Sequence, residues 1–207
     1  MIKIIGRERG FVFEVESLHA GKTAVIVVDM QNAFVAEGSP IYSDMGNKLL
    51  EPMAVFLDQC RQKGFRVIYT EDCKLPGKSN ILQDGLPGIE IHPIVRPKEK
   101  EAVVRKYHYS GFFGTNMDIL LRADGIDTVA IAGVCTDVCC LSTARDAMFL
   151  GYRVIFLSDM TGTLAFPDKG FGPGDALAQH EMALRNVAFS TGLVLSAAEF
   201  LALPVEE

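Results

Sequence analysis

The chain has 207 residues, of which 49% are hydrophobic and 22% charged, with a formal net charge of -6. That composition belongs to a globular chain with a sizeable core and excludes a disordered one. A mildly acidic chain with no run of Lys or Arg is a poor partner for nucleic acid or for an anionic membrane surface, and no apolar stretch reaches the roughly 18 residues of a membrane span.

The first residues carry Lys3, Arg7, Glu8 and Arg9, unlike the apolar core of a signal peptide. The alternating FVFEVES that follows makes residues 1–20 an N-terminal extension, expected as an edge strand or hairpin. Short apolar runs then predict buried parallel strands at 24–28, 66–70, 102–105, 128–132, 153–157 and 192–195. Helical spacing predicts helices over 49–63, 115–123, 137–150 and 175–190, with Thr115 and Asp118 as a capping box on the second. Ser196 and Glu199 form another box before a short last helix. Residues 71–100 and 161–174 are rich in Pro and Gly and read as long loops, as much surface excursions as site walls. Strand and helix alternate almost throughout, so the expected fold is one α/β domain over 1–207, a three-layer α/β/α arrangement around a mostly parallel six-stranded sheet. Five cysteines, an odd number without an export signal, read as thiols of a reducing cytoplasm and not as a disulfide framework.

Ligands of open α/β sheets bind at the carboxyl ends of the strands. The first apolar run ends in Asp29, the third in Lys106, and the fourth leads through Val134 to Cys135, Thr136 and Cys139. An acid, a cation and a thiol therefore converge on one edge. A carboxylate can take a thiol proton and return it to a leaving amine, and a nearby ammonium, with the first turn of a helix, is expected to lower the thiol pKa. Backbone N–H groups of Val134, Cys135 and Cys139 are candidates for an oxyanion hole. Each residue alone has a plain structural reading: a turn, a solvated lysine, a small core thiol. Gln31 and Phe34 follow the acid, and Tyr107, Tyr109 and Phe112 follow the lysine. These five, with Thr136, are the candidate substrate-binding residues.

The segments VVDMQNAF (27–34), RKYHYSGFFGTNMDILLR (105–122) and AGVCTDVCCLSTARDA (132–147) resemble three signature blocks of the isochorismatase-like hydrolases, and most closely their cysteine amidase branch. The resemblance covers residues 22–160. It implies Asp29 as acid, Lys106 as lysine, Cys139 as nucleophile and a cis peptide just before Cys135. It also implies a small-molecule amide or ureido substrate and assembly as a homodimer or homotetramer. Relatives that deamidate nicotinamide carry an Asp-x-His and a further His that bind a metal. Here Asp72 matches the acid but no histidine follows until His92, and the four histidines have no ligand spacing, so neither metal nor other cofactor is expected. The alternatives are a nicotinamidase-like deamidase, a vinyl-ether hydrolase, a non-catalytic member of the fold, and a thiol-redox protein using Cys135 and Cys139. Cys140 is expected in the core.

Overall fold

The computed structural model describes residues 15–75, 77–79 and 81–206. Its centre is a six-stranded, all-parallel sheet of β2 (Thr23–Val28), β3 (Arg66–Asp72), β4 (Ala102–Lys106), β5 (Thr128–Val134), β6 (Arg153–Gly162) and β7 (Leu193–Leu195), in the order β4-β3-β2-β5-β6-β7. The six strands are those predicted. Order reverses between β2 and β5, so the crevice that doubly wound sheets use for ligands opens beyond Val28 and Val134.

Helices cover both faces. The β2 residues Val25 and Val27 point into one core with Met53, Phe56 and Leu57 of α3 (Leu50–Gln62) and Phe200 of α7 (Ala197–Ala202). Ala24, Ile26 and Val28 point into the other, with α4 (Met117–Ala123), α5 (Leu141–Phe149) and α6 (Ala176–Ser190). Two-sided burial explains why β2 reads TAVIVV with no polar alternation. Two short helices, α1 (Asn32–Val35) and α2 (Asp44–Lys48), lie after β2 and have too few residues to show a period in sequence.

Helix ends follow local chemistry. The Asp175 carboxylate accepts the Ala178 N–H at 2.8 Å to start α6, and the predicted Ser196–Glu199 capping box is present. The expected Thr115–Asp118 box is not formed. Helix α4 starts at Met117, whose N–H donates to Thr115 Oγ1 at 3.2 Å, and Asp118 is drawn instead to the Tyr152 hydroxyl at 2.7 Å and to Arg122.

Two of the predicted loops are shorter than expected. Strand β3 runs on to Asp72, and residues 71–100 contain 3-10 turns at Pro87–Ile89 and Pro93–Val95. Strand β6 bulges after Phe156 and pairs again with β5 through Thr161 and Gly162, so the start of 161–174 belongs to the sheet. Most of the N-terminal extension, residues 1–14, lies outside the described residues. The described part is not an edge of the main sheet. Its strand β1 (Leu18–His19) pairs in parallel with β8 (Val205–Glu206) as a separate ladder, which satisfies backbone groups of both terminal segments.

At the crevice, Gly133 is paired with Val28 and has φ of 119°. A Cβ there would sit 2.0 Å from the Val28 carbonyl oxygen. Backbone on both sides cannot yield, so Gly133→Ala is expected to cost more than about 4 kcal/mol or to prevent folding. Soluble yield and thermal unfolding check this; a wild-type melting temperature would show that the β2–β5 approach can yield to a Cβ.

Candidate active site

Asp29 is the first residue beyond β2. It takes φ of 49°, a left-handed conformation that Asp tolerates better than bulky or β-branched residues. This turn aims its carboxylate inward, where it is fully buried. Thr70 of β3 holds it on two sides: the Thr70 hydroxyl donates to Asp29 Oδ1 at 2.7 Å and accepts the Asp29 N–H at 3.2 Å. Asp29 Oδ2 lies 2.7 Å from Lys106 Nζ, a charge contact outside hydrogen-bond alignment, and has no hydrogen-bond donor among the described residues.

Lys106 ends β4 and is also fully buried. Its ammonium donates to the His108 carbonyl at 3.1 Å and to Cys139 Sγ at 3.6 Å, and lies 4.0 Å from the Asp72 carboxylate. Burial alone would pull its pKa down, but the surrounding Asp29, Cys139 and Asp72 outweigh that and leave it raised. The lysine is therefore a fixed cation.

Cys139 follows β5 and is buried, 4% exposed as a residue. The Val134–Cys135 peptide is cis, as the resemblance implies. The predicted single helix over 137–150 is divided: residues Thr136–Cys140 form a π turn, and α5 begins only at Leu141. The Cys135 carbonyl accepts the N–H of both Val138, at 3.2 Å, and Cys140, at 3.0 Å. Such wide turns have no periodic signature in sequence and recur at functional sites. The turn is tied down by the Thr143 hydroxyl, which donates to the Cys139 carbonyl at 2.7 Å and accepts the Gly111 N–H at 2.9 Å.

One expectation is corrected by this geometry. The Cys139 pKa is not lowered: burial pushes it well above the usual thiol range and the Asp29 charge adds to that, against the single opposing charge of Lys106. The buried Cys139 side chain is therefore a neutral thiol. Cys140 is the core residue expected, and burial raises its thiol pKa as well. Cys135 packs into the opposite core from Cys139, its thiol pushed up to about 12 by burial.

The six residues expected at the substrate separate into two groups. Tyr107 and Tyr109 are exposed by 46% and 59% near the lysine, and the Tyr109 ring lies 5.7 Å from Lys74 Nζ. The other four are committed elsewhere. Both ends of the Gln31 amide are spent on backbone, donating to the carbonyls of Asp72 and Ile89 and accepting the Asp72 N–H, so Gln31 ties the 87–91 segment to β3. Phe34 is a core residue, Phe112 packs on Tyr152, and the Thr136 hydroxyl pairs with His180. Sequence reading missed Thr70, Thr143 and the role of Asp72 beside Lys106. Thr70, a polar residue closing the apolar run 67–69, is the one with a signal in sequence; Thr143, within LSTARDA, had none.

Among the described residues no group of three or more His, Cys, Asp or Glu could hold a metal ion, and no helix is long and apolar enough to cross a membrane.

Residues 23–199 match the family model described as the isochorismatase domain. The chain is 33% identical over 184 residues to the ureidoacrylate amidohydrolase RutB of Agrobacterium fabrum, covering 73% of this chain and 80% of that protein. Among solved structures it superimposes on a cysteine hydrolase from Pseudomonas syringae pv. phaseolicola with a TM-score of 0.86 at 30% identity, covering 93% of this chain and 96% of that one. An N-carbamoylsarcosine amidase from Thermoplasma acidophilum gives 0.68 at 31% identity, covering 85% and 96%.

Proposed function

We propose that this chain, which belongs to the isochorismatase family, is a hydrolase of non-peptide C–N bonds that uses Cys139 as nucleophile, Asp29 as acid and base, and Lys106 as the charge that steadies both. The observation that carries the reading is the buried contact of the three groups: Lys106 Nζ lies 2.7 Å from Asp29 Oδ2 and 3.6 Å from Cys139 Sγ.

Such a site runs a two-step acyl transfer. The thiol proton passes to Asp29 as sulfur attacks the substrate carbonyl, forming a C–S bond and an oxyanion. Because the proton stays inside the site, its net charge is unchanged, which avoids creating a new charge in a buried, low-dielectric place. Backbone N–H groups of Val134, Cys135 and Cys139 are the candidate donors to the oxyanion. Collapse breaks the C–N bond as Asp29 returns the proton to the leaving nitrogen. Water, deprotonated by Asp29, then attacks the thioester or thiocarbamate, and Cys139 leaves with the proton.

The names of the relatives, a ureidoacrylate amidohydrolase and an N-carbamoylsarcosine amidase, favour a small ureido or carbamoyl substrate. The exposed rings of Tyr107 and Tyr109 beside Lys106 support their place at its entrance. Ammonia release from ureidoacrylate, N-carbamoyl amino acids, biuret and nicotinamide tests the assignment. Turnover of a ureido or carbamoyl compound is expected; turnover of nicotinamide alone would move the protein to the deamidase reading.

We place this catalytic domain over the whole chain, in the cytoplasm, where five unpaired thiols are stable. A homodimer or homotetramer is expected, because Leu177, Met182 and Phe189 expose large apolar side chains along α6. Light scattering that returned a monomer at micromolar concentration would contradict it.

A further inference from the structure

The nucleophile turn has a polar anchor that the reaction does not use. Thr136 opens the π turn and is fully buried, and its Oγ1 lies 2.8 Å from Nδ1 of His180 on α6, itself only 7% exposed. The Ser158 backbone on β6 raises the imidazole pKa, as a carbonyl acceptor would, against the larger lowering by burial. A carbonyl only accepts, so the ring N–H belongs toward Ser158, and Nδ1 is left to accept the Thr136 hydroxyl proton. Burial favours this neutral ring, with Glu181 and Asp137 as its charged neighbours. The His180 side chain therefore connects α6 to the first residue of the turn that carries Cys139.

That connection has a consequence for the thiol. Cys139 depends on a 3.6 Å approach to Lys106 for the one charge that favours its thiolate. The turn holding the sulfur is short; Thr143 ties its far end, and at its start the Thr136–His180 bond ties the first residue while the Thr163 hydroxyl donates to Asp137 Oδ1 at the second. Loosening Thr136 lets the turn drift from Lys106, and thiolate character falls steeply with that distance.

We infer that His180 is a positioning residue for Cys139, acting through the Thr136 hydroxyl to hold the π turn against Lys106. The inference rests on the reading of Cys139 as nucleophile. It is tested by the rate at which iodoacetamide alkylates Cys139 in the full chain, followed by peptide mass spectrometry, together with thermal unfolding of each variant. His180→Leu and Thr136→Val are each expected to slow alkylation about tenfold, the scale of one buried hydrogen bond. His180→Asn, whose Oδ1 can take the place of Nδ1, and Thr136→Ser, which keeps the hydroxyl, are expected to restore the rate to within about twofold of wild type. The double variant His180→Leu/Thr136→Val is expected to be no slower than either single one, because both break the same bond. Alkylation of Thr136→Val at the wild-type rate, or no recovery in Thr136→Ser at equal thermal stability, would overturn the inference. No hydrolysis substrate enters this measurement. Coupled alkylation rates in a protein that hydrolyses nothing would therefore sink the amidase reading and leave the positioning role standing.

Discussion

Cys139→Ala is expected to lower hydrolysis of the substrate by at least about 10⁴-fold while the fold survives, as loss of a nucleophile does where no neighbour can replace it. Cys135 packs in the opposite core layer and Cys140 is sealed in the interior, so neither thiol is placed to take over. The structural cost is small. Removing one buried sulfur leaves at most a modest cavity, on the order of 1 kcal/mol, far below what unfolds a domain of this size. Circular dichroism and thermal unfolding beside the kinetic assay separate the two effects. A folded Cys139→Ala protein with activity within tenfold of wild type would assign the chemistry elsewhere.

Asp29→Asn is expected to lose about 10³-fold in kcat, because the amide can neither take the thiol proton nor return one to the leaving nitrogen. It is also expected to cost about 3 kcal/mol of stability. Lys106 is fully buried 2.7 Å from the carboxylate, and once that charge is gone the ammonium keeps, among the described residues, only Asp72, at 4.0 Å, as a close anion. Lys106→Met strands Asp29 in the same way. The double variant Asp29→Asn/Lys106→Met removes both charges and is expected to be more stable than the sum of the two single costs, yet no more active than either. Urea denaturation of the four proteins measures the coupling. Strict additivity would mean that the pair does not interact as its geometry requires.

The strand cores were legible because they are buried on both faces, and β2 and β5 declare themselves as unbroken runs of apolar and small residues. The proposed catalytic trio was legible for a related reason: Asp29, Lys106 and Cys139 are the polar groups that interrupt or follow those runs at the same end of the sheet. What escaped sequence reading depends on distances between segments. Gln31 looks like a pocket residue beside Asp29, and only the approach of the 87–91 segment shows that its amide is consumed by backbone. The thiol pKa was expected to fall because Lys106 and a helix start were visible in sequence, whereas the depth of burial and the closeness of Asp29 that reverse the sign were not. The π turn at Thr136–Cys140 is likewise invisible to a 3.6-residue period, and it sets where Cys139 points.

The most direct test of covalent catalysis by Cys139 is mass spectrometry of wild type and Cys139→Ala, each quenched in acid during turnover of a compound that releases ammonia. A mass increase equal to the substrate's acyl fragment, found on the peptide containing Cys139 and absent from Cys139→Ala along with the activity, is the predicted result. Undiminished turnover by Cys139→Ala, or an acyl adduct on another residue, would contradict it.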